Sequence, residues 1–477
     1  MKAIKTSLVP DFTQDPKLLE QFGENGPYYT SYPTHGDWSN QLGHTDYVKS
    51  LKDFFLKNGD APVHLYIHIP FCAKLCFYCI CNIIVTNNRD RMQHFVDYLF
   101  REIDLLNNLF SEIGTRPNIK EIHLGGGTPS HLEDEQLEQL VNKLGEIADL
   151  KNIYEFAMEI DPRTTSRENL KFYSTLGINR ISFGVQDFDS NVQEAINRVQ
   201  PVEMVEDLLS PDVRACFDGF NFDLLYGLPR QTRKTFENTV DLVKKLAPER
   251  ITLIKYAHAP ELRKHMRLID AKTLPPTDEM PLMFNDSVQS LTADGYVWVG
   301  IGDFAKPSDE MAKAVNEKRA WRDLGGFATG NARNMIGIGP TAGGAIGDAY
   351  FQNAYGINEY YKAIDEGQFP IHSGFIMDGD DVLRREVIFR IICDSSLDYE
   401  QIETKFAPIL SGSFENYFSN ELASLARFEE DGILEFNASI NRGFSLTPTG
   451  RFFGRHVARV FDRFLQRAEG AYEISGP

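Results

Sequence analysis

Tyr66-Ile67-His68-Ile69-Pro70-Phe71-Cys72-Ala73-Lys74-Leu75-Cys76-Phe77-Tyr78-Cys79-Ile80-Cys81 runs from a strand pattern straight into four thiols within ten residues. The spacing is C-x3-C-x2-C with a further x-C. Structural zinc closes its coordination shell with four ligands, and all-cysteine zinc sites combine two separated C-x2-C knuckles. The second knuckle is missing here. Three thiolates in one short loop can instead hold three irons of a 4Fe–4S cluster and leave the fourth iron open. An open iron can chelate the amino and carboxylate groups of a methionine moiety. Cys72, Cys76 and Cys79 are therefore the candidate cluster ligands, and the x-C spacing constrains Cys81 too tightly to join them. A buried helix with cysteine on its apolar face, at i, i+4 and i+7, and a zinc site stay open as alternatives.

Outward from this loop, short β-branched runs alternate with amphipathic stretches. The strand candidates are 63–69, 119–124, 153–160, 179–183, 221–226 and 251–256, with helix patterns at 91–109, 134–147 and 234–246. Such alternation implies right-handed crossovers and a parallel sheet. About six units in this span point to an open or closed βα barrel whose site lies just after the strand ends. Before residue 61 the chain shows a helix-like stretch near 47–56 and the aromatic run Gly26-Pro27-Tyr28-Tyr29-Thr30-Ser31-Tyr32-Pro33-Thr34, in which two prolines exclude a helix. Beyond about residue 375, helical patterns at 384–392, 399–406 and 414–431, a hairpin at 432–436 and 443–447, and a helix after Gly450 suggest a winged-helix-like module. The expected division is 1–60, 61–374 and 375–477.

With 477 residues, a 42% hydrophobic fraction and 25% charged residues, the chain is an ordinary globular protein rather than a disordered or disulfide-dense one. Its net charge of −19 argues against non-specific nucleic-acid binding or docking on an anionic bilayer. No apolar run is long enough to span a membrane. Met1-Lys2-Ala3-Ile4-Lys5 leads into polar residues rather than an apolar signal segment, so a cytoplasmic protein is expected. Four of its six cysteines crowd into one loop, as for a metal or redox centre.

The cysteine spacing after a first barrel strand resembles that of radical S-adenosylmethionine enzymes. Gly26–Thr34, Tyr66–Cys81, Gly125–Pro129, Glu159–Arg163, Gly184–Phe188, Asp223–Pro229 and Tyr256–His258 resemble, more narrowly, the oxygen-independent coproporphyrinogen III dehydrogenase family over nearly the whole chain. The resemblance implies an α/β fold, a partial (β/α)6 barrel with an N-terminal aromatic segment and a helical, winged-helix-like C-terminal domain. It also implies a 4Fe–4S cluster and two S-adenosylmethionine molecules. Gly126, Gly127 and Thr128 would contact the cofactor methionine; alone, three glycines would be a turn. Glu159, at a strand end, can hold a ribose or ammonium group or form a surface ion pair. Gln186 follows the fourth strand, and the Arg198 guanidinium suits a carboxylate fork. Asp223, on an apolar strand, needs a partner or ligand. Tyr66 and Tyr78 flank the cluster and either stack on adenine or pack. Ala257 and Gly343 are cofactor contacts by resemblance alone.

Three stretches depart from the family. Ile301-Gly302-Asp303-Phe304-Ala305 stands for Met-Asp-His-Phe-Ala, Asp323-Leu324-Gly325-Gly326-Phe327-Ala328-Thr329 for Asn-Phe-Gln-Gly-Tyr-Thr-Thr, and Pro340-Thr341-Ala342-Gly343 for Val-Ser-Ala-Ile. A pocket wall that loses donors and volume favours a different, less polar ring. The leading expectation is a 5′-deoxyadenosyl radical enzyme that C-methylates an sp² carbon of a menaquinone-like ring, with a second S-adenosylmethionine as methyl source and Cys81 as a catalytic donor. The alternative is the namesake reaction, oxidative decarboxylation of coproporphyrinogen III to protoporphyrinogen IX. A heme chaperone is a third reading, but its His-Asn…Tyr-Trp motif is absent. The expected partners are a small ring substrate and a low-potential donor such as flavodoxin or ferredoxin, with no nucleic acid, and the chain acting as a monomer.

Overall fold

The computed structural model describes residues 9–23, 27–438 and 440–465. Gly26 of the aromatic run and the Met1–Lys5 start lie outside them. The chain forms two compact units, one of residues 39–275 and 331–376, the other built from segments before 39, from 276–330 and after 376. These units are not the three sequential segments expected: residues 276–330, read as an extension of the barrel, belong with the C-terminal helices, and only the break near 375 recurs.

The larger unit is a ten-stranded sheet. Its strands are β1 (Pro62–Ile69), β2 (Asn118–Gly126), β3 (Glu155–Ile160), β4 (Arg180–Gln186), β5 (Gly219–Tyr226), β6 (Arg250–Lys255), β7 (Asn334–Ile338), β8 (Gly343–Ile346), β9 (Ala349–Asn353) and β10 (Ile371–Ile376). The spatial order is β10-β9-β8-β7-β1-β2-β3-β4-β5-β6. All six expected strands are present, sequential and parallel. The sequence reading missed β7, which pairs parallel to the free side of β1, and the antiparallel meander β8–β10. A strand added out of sequence order leaves no periodic signal of its own.

The two faces of this sheet differ in chemistry. Val63, Leu65, Ile67 and Ile69 of β1 are fully buried, as are Leu124 of β2, Met158 of β3 and Phe222 of β5. The alternate positions carry His64, Tyr66 and His68, then His123, Glu159, Ser182 and Asp223. A parallel sheet covered on both faces by apolar elements would show near-continuous hydrophobic strands. Here one face is polar across β1 to β5. Helix α1 (His44–Lys57) precedes β1, and the long α2 (Arg89–Ile113) follows it. Asn88 caps α2 by accepting Arg91 N–H at 3.0 Å, Gly114 ends it at φ 75°, and Met92, Phe95, Leu99, Ile103 and Leu106 form its buried stripe. Helices α3 (Asp134–Leu144), α4 (Arg167–Thr175) and α5 (Arg233–Leu246) complete the main crossovers.

In the other unit, Phe12, Phe22, Phe284, Trp298 and Phe452 make an aromatic cluster. Tyr29, from the aromatic run, is buried and its hydroxyl donates to Asp462 at 3.0 Å. The expected hairpin exists, as Leu434–Phe436 against Gly443–Leu446, with Ser396–Asp398 as a third strand. The helix expected over 414–431 is broken at Phe418 into Phe414–Tyr417 and Ser419–Glu430, because Phe418 leaves helical geometry at φ −102°, ψ 29°. No helix among the described residues is long and apolar enough to cross a membrane.

Candidate active site

Strand β1 delivers the chain through Pro70 into the cysteine loop, and the loop is closed at its base. Phe71–Cys72 pairs with Ile84–Val85, Ile84 N–H donates to the Pro70 carbonyl at 2.7 Å, and Thr86 N–H to that of Cys72 at 3.1 Å. Two further segments hold its crest. Asn197 Nδ2 donates to the Leu75 carbonyl at 2.7 Å, Arg263 Nε to that of Ile80 at 2.6 Å, and His265 Nε2 contacts that of Cys79 at 2.7 Å. Phe77, Tyr78 and Ile80 pack on a core that includes Ile196, Leu228 and Met266. The loop is not the regular helix that i, i+4, i+7 spacing allowed; it is anchored irregular backbone.

Each candidate ligand has its own surroundings. Cys72 Sγ lies 3.3 Å from Thr128 Oγ1, and burial pushes its thiol up to about 12. The adjacent Cys81 thiol, together with burial, pushes Cys79 well above the usual range. Cys76 Sγ receives Arg163 Nη2 at 3.3 Å and Arg198 Nη1 at 3.5 Å. Among the described residues, no three His, Cys, Asp or Glu side chains are gathered to hold a single metal ion. A four-iron cluster takes one thiolate on each of three irons, so it does not need such convergence. Partly buried thiols at Cys72 and Cys79 whose pKa values are raised without a metal, soft sulfur donors and two guanidinium groups beside Cys76 fit an anionic iron–sulfur cluster.

Arg163 and Arg198 share Asp161. Arg163 holds it through Nε at 2.9 Å and Nη2 at 2.6 Å, and Arg198 Nη1 lies 3.5 Å away. Burial opposes ionisation of Asp161, but the two guanidinium groups overcome it and bring its carboxyl down to about 2. This Asp161–Arg163 pair is buried. Arg198 also donates from Nε and Nη2 to the Gly184 carbonyl, at 3.1 and 2.6 Å. Its fork is thus committed to the protein rather than open to a ligand carboxylate.

The Gly125–Gly127 strip is tightly packed. A Cβ at Gly125 would lie 2.7 Å from Glu159 Oε1, one at Gly126 2.8 Å from the His68 ring, and one at Gly127 2.8 Å from the Phe71 carbonyl oxygen. Glycine is required there by the cysteine loop and its neighbours, before any ligand is considered. Glu159 ends β3 with His123 Nε2 3.0 Å from Oε1, and its Oε2 accepts Gly126 N–H at 3.3 Å. Tyr66 OH is 3.2 Å from His68 Nδ1, and His68 Nε2 is 3.2 Å from the Asn82 carbonyl. The sequence reading missed His68, although its period-2 spacing with His64 and Tyr66 marks it as facing the polar side.

Gln186 ends β4 in left-handed geometry, φ 66°, and is buried. Asp223 accepts Ser182 Oγ at 3.2 Å and Asn221 Nδ2 at 2.8 Å, so its partners are polar neighbours on the same face. Tyr78 is enclosed, and burial raises its phenol well above the ordinary range. Ala257 lies half-buried between Tyr256 and His258, whose hydroxyl and Nδ1 are 2.9 Å apart. Gly343 opens β8 beside Gly337 of β7. The opposite end of the strands is closed: Glu155 takes both Arg250 Nη atoms at 2.9 Å and lies 3.2 Å from Arg180 Nε. The strand starts are structural, and the chemistry gathers at the strand ends.

Of the three departures, Gly343 belongs to this unit and the other two to its companion. Leu324 and Gly325 are the two-residue tip of a hairpin, Trp321–Asp323 against Gly326–Ala328, with Gly325 exposed and its N–H donating to Asp323 Oδ1 at 2.8 Å. Only Asp323 Oδ1, at 3.3 Å, would meet a Cβ on Gly325. Within this unit, the hairpin tip therefore has room for a side chain at Gly325. Arg322 beside the tip is buried, donates to the Tyr29 carbonyl at 3.1 Å and lies over Phe327 at 4.7 Å.

Residues 66–243 match the Radical SAM superfamily. The chain is 36% identical over 453 residues to the oxygen-independent coproporphyrinogen III oxidase of Pseudomonas aeruginosa, covering 94% of this chain and 96% of that one. It is 36% identical over 462 residues to the Helicobacter pylori enzyme, at 96% and 98% coverage. The solved structure of Escherichia coli coproporphyrinogen III oxidase superposes with a TM-score of 0.83 at 34% identity, over 92% of this chain and 97% of that one. A cysteine loop at the end of the first strand, a polar sheet face above it and similarity along the full length of both chains make this a radical S-adenosylmethionine enzyme, with the 4Fe–4S cluster and S-adenosylmethionine that this implies, and it belongs to the oxygen-independent coproporphyrinogen III oxidase family.

Proposed function

We infer that the protein oxidatively decarboxylates two propionate side chains of coproporphyrinogen III to vinyl groups without oxygen. The similarity to relatives of that activity, which extends through the segments expected to contact substrate, carries this reading. It replaces the methylation of a menaquinone-like ring as the leading reading, for which neither the relatives nor the site geometry offers support. A 4Fe–4S cluster and S-adenosylmethionine, when bound, would supply the radical chemistry that removes one hydrogen atom from each propionate, and a separate one-electron acceptor would take the remaining electron as carbon dioxide leaves.

This chain's residues do the holding and orienting. Cys72, Cys76 and Cys79 ligate the cluster, with Arg163 and Arg198 balancing its charge at Cys76. Gly126, Gly127 and Thr128 bring backbone and hydroxyl alongside the cofactor methionine. Tyr66, Tyr78, Glu159, Gln186, Asp223, Ala257 and Gly343 line the rest of the cofactor sites for two S-adenosylmethionine molecules. Arg198 acts from behind the loop, since its donors are taken. Cys81, next to Cys79, is left as a thiol near the reacting centre.

The test is anaerobic incubation of reconstituted enzyme with reductant, methyl-labelled S-adenosylmethionine, coproporphyrinogen III and a one-electron acceptor for the substrate-derived electron. Carbon dioxide release and protoporphyrinogen IX without label in the ring are expected. Label in a ring product, with no carbon dioxide, would overturn this reading and restore methyl transfer.

A further inference from the structure

The segment from His258 to Pro275 lies over the cysteine loop, and it has an unusual surface for this protein. In a chain of net charge −19, residues 261–272 carry Arg263, Lys264, Arg267 and Lys272 against Glu261 and Asp270. The two acids are occupied locally: Glu261 is 3.1 Å from Arg267, and Asp270 accepts Lys272 N–H at 3.0 Å. Lys264, Arg267 and Lys272 are exposed. Between them stand two bare leucines, Leu262 at 62% and Leu268 at 59% exposure. Exposed leucines flanked by cations are a patch rather than scattered surface residues.

The underside of the same segment is fastened to the candidate cluster ligands. His265 Nε2 reaches the Cys79 carbonyl at 2.7 Å and Arg263 Nε that of Ile80 at 2.6 Å, while Met266 and Ile269 are buried against Tyr78 and Ile80. One short helical turn, Lys264–Leu268, therefore presents its basic and apolar side to solvent and its other side to the loop. A further exposed cation, Arg230, adjoins the segment, since its N–H donates to the Thr273 carbonyl at 2.6 Å.

The geometry points to residues 261–272 as the docking surface for a small acidic electron-carrier protein that delivers one electron to the cluster. This rests on the radical S-adenosylmethionine assignment and not on which ring is the substrate. Charge complementarity selects an acidic protein, and the fastening of this segment to the Cys79 and Ile80 carbonyls selects one that exchanges electrons with the loop beneath rather than another copy of this chain. A small patch with two apolar anchors suits a transient, low-area electron-transfer encounter. In the step itself the reduced carrier loses one electron and the cluster gains it, falling from the 2+ to the 1+ state, with no bond made or broken.

The experiment compares two reductants on anaerobic holoenzyme, reading bleaching of the cluster absorbance by stopped flow. One is flavodoxin in its hydroquinone form; the other is dithionite, which needs no docking. In K264E/R267E/K272E the second-order rate with flavodoxin should fall about tenfold or more and lose its dependence on salt, while the dithionite rate stays unchanged. L262S/L268S should slow flavodoxin reduction with the salt dependence intact. An unchanged flavodoxin rate in the charge-reversed protein overturns the proposal. So does an equal loss with both reductants, which would mark the segment as a structural cover of the loop. Because no ring substrate is present, failure of the coproporphyrinogen reading would leave this measurement unaffected.

Discussion

The Glu102 carboxylate, buried at 1% exposure in the middle of α2, accepts the N–H of Gly339 at 2.8 Å, 237 residues away in sequence. Tyr360 OH and Asn353 Nδ2 complete its shell at 2.7 and 2.9 Å. Gly339 in turn lies so close to the end of β1 that a Cβ on it would be 2.5 Å from the His68 carbonyl oxygen. The turn that follows includes Thr341 at φ 61°, a conformation a β-branched residue holds only where the surroundings enforce it. One buried acid thus fixes the turn leading to Gly343 against the strand that feeds the cysteine loop.

Burial pushes Glu102 up to about 7, against the pull of its three donors. The unfolded carboxyl ionises near 4.5 and the folded one near 7, so the folded state holds the extra proton between these values. Stability should therefore fall as pH rises from about 4.5 to about 7 and level off above, by on the order of 3 kcal/mol from this group. Glu102→Gln should remove that share of the slope. Thermal unfolding of both proteins at pH 5 and pH 8 measures it, and equal slopes would contradict the assignment.

Arg163→Met should leave three cysteines to assemble the cluster but withdraw a charged donor from Cys76. The reduced, more negative cluster loses most by this. A lower midpoint potential is expected, with 5′-deoxyadenosine formation down about tenfold, matching the roughly 1.5–3 kcal/mol of a charge-assisted hydrogen bond. A redox titration followed by electron paramagnetic resonance decides it, and an unshifted potential would show that the guanidinium serves only Asp161.

Cys72→Ala, Cys76→Ala and Cys79→Ala should each abolish the visible absorbance of the reconstituted enzyme. Cys81→Ala should keep four irons and still form 5′-deoxyadenosine, with product lost. Iron analysis beside product analysis separates the two classes. Full product formation by Cys81→Ala would reduce that thiol to a packing residue.

Gly127→Ala should move the cysteine loop, since the nearest atoms are the backbone of Pro70 and Phe71, which cannot rotate away. A loss of about 1–3 kcal/mol in stability and weaker S-adenosylmethionine binding are expected. Gly177→Ala is the comparison: it sits at φ 91° with nothing within 4 Å, so only backbone strain is added and cofactor affinity should hold. Calorimetric titration with S-adenosylmethionine distinguishes them.

The cysteine loop stood out in the sequence because its candidate ligands lie within eight consecutive residues, where spacing alone suggests the chemistry. The six parallel strands were legible for a similar reason, each being a local period followed by its own crossover helix. What surrounds Cys76 was not. Arg163 follows β3 closely and Arg198 follows β4 only after a short helix, Ser190–Ala195, and only the parallel order β1-β2-β3-β4 brings both guanidinium groups to one sulfur. Likewise β7 enters the sheet beside β1 across more than 250 residues, and Glu102, buried with the apolar residues of α2, anchors the turn that follows it. Local sequence determined which atoms could bind iron. Tertiary structure decided which charges and buried donors stand around them, because pairing between distant segments has no signature in either one alone.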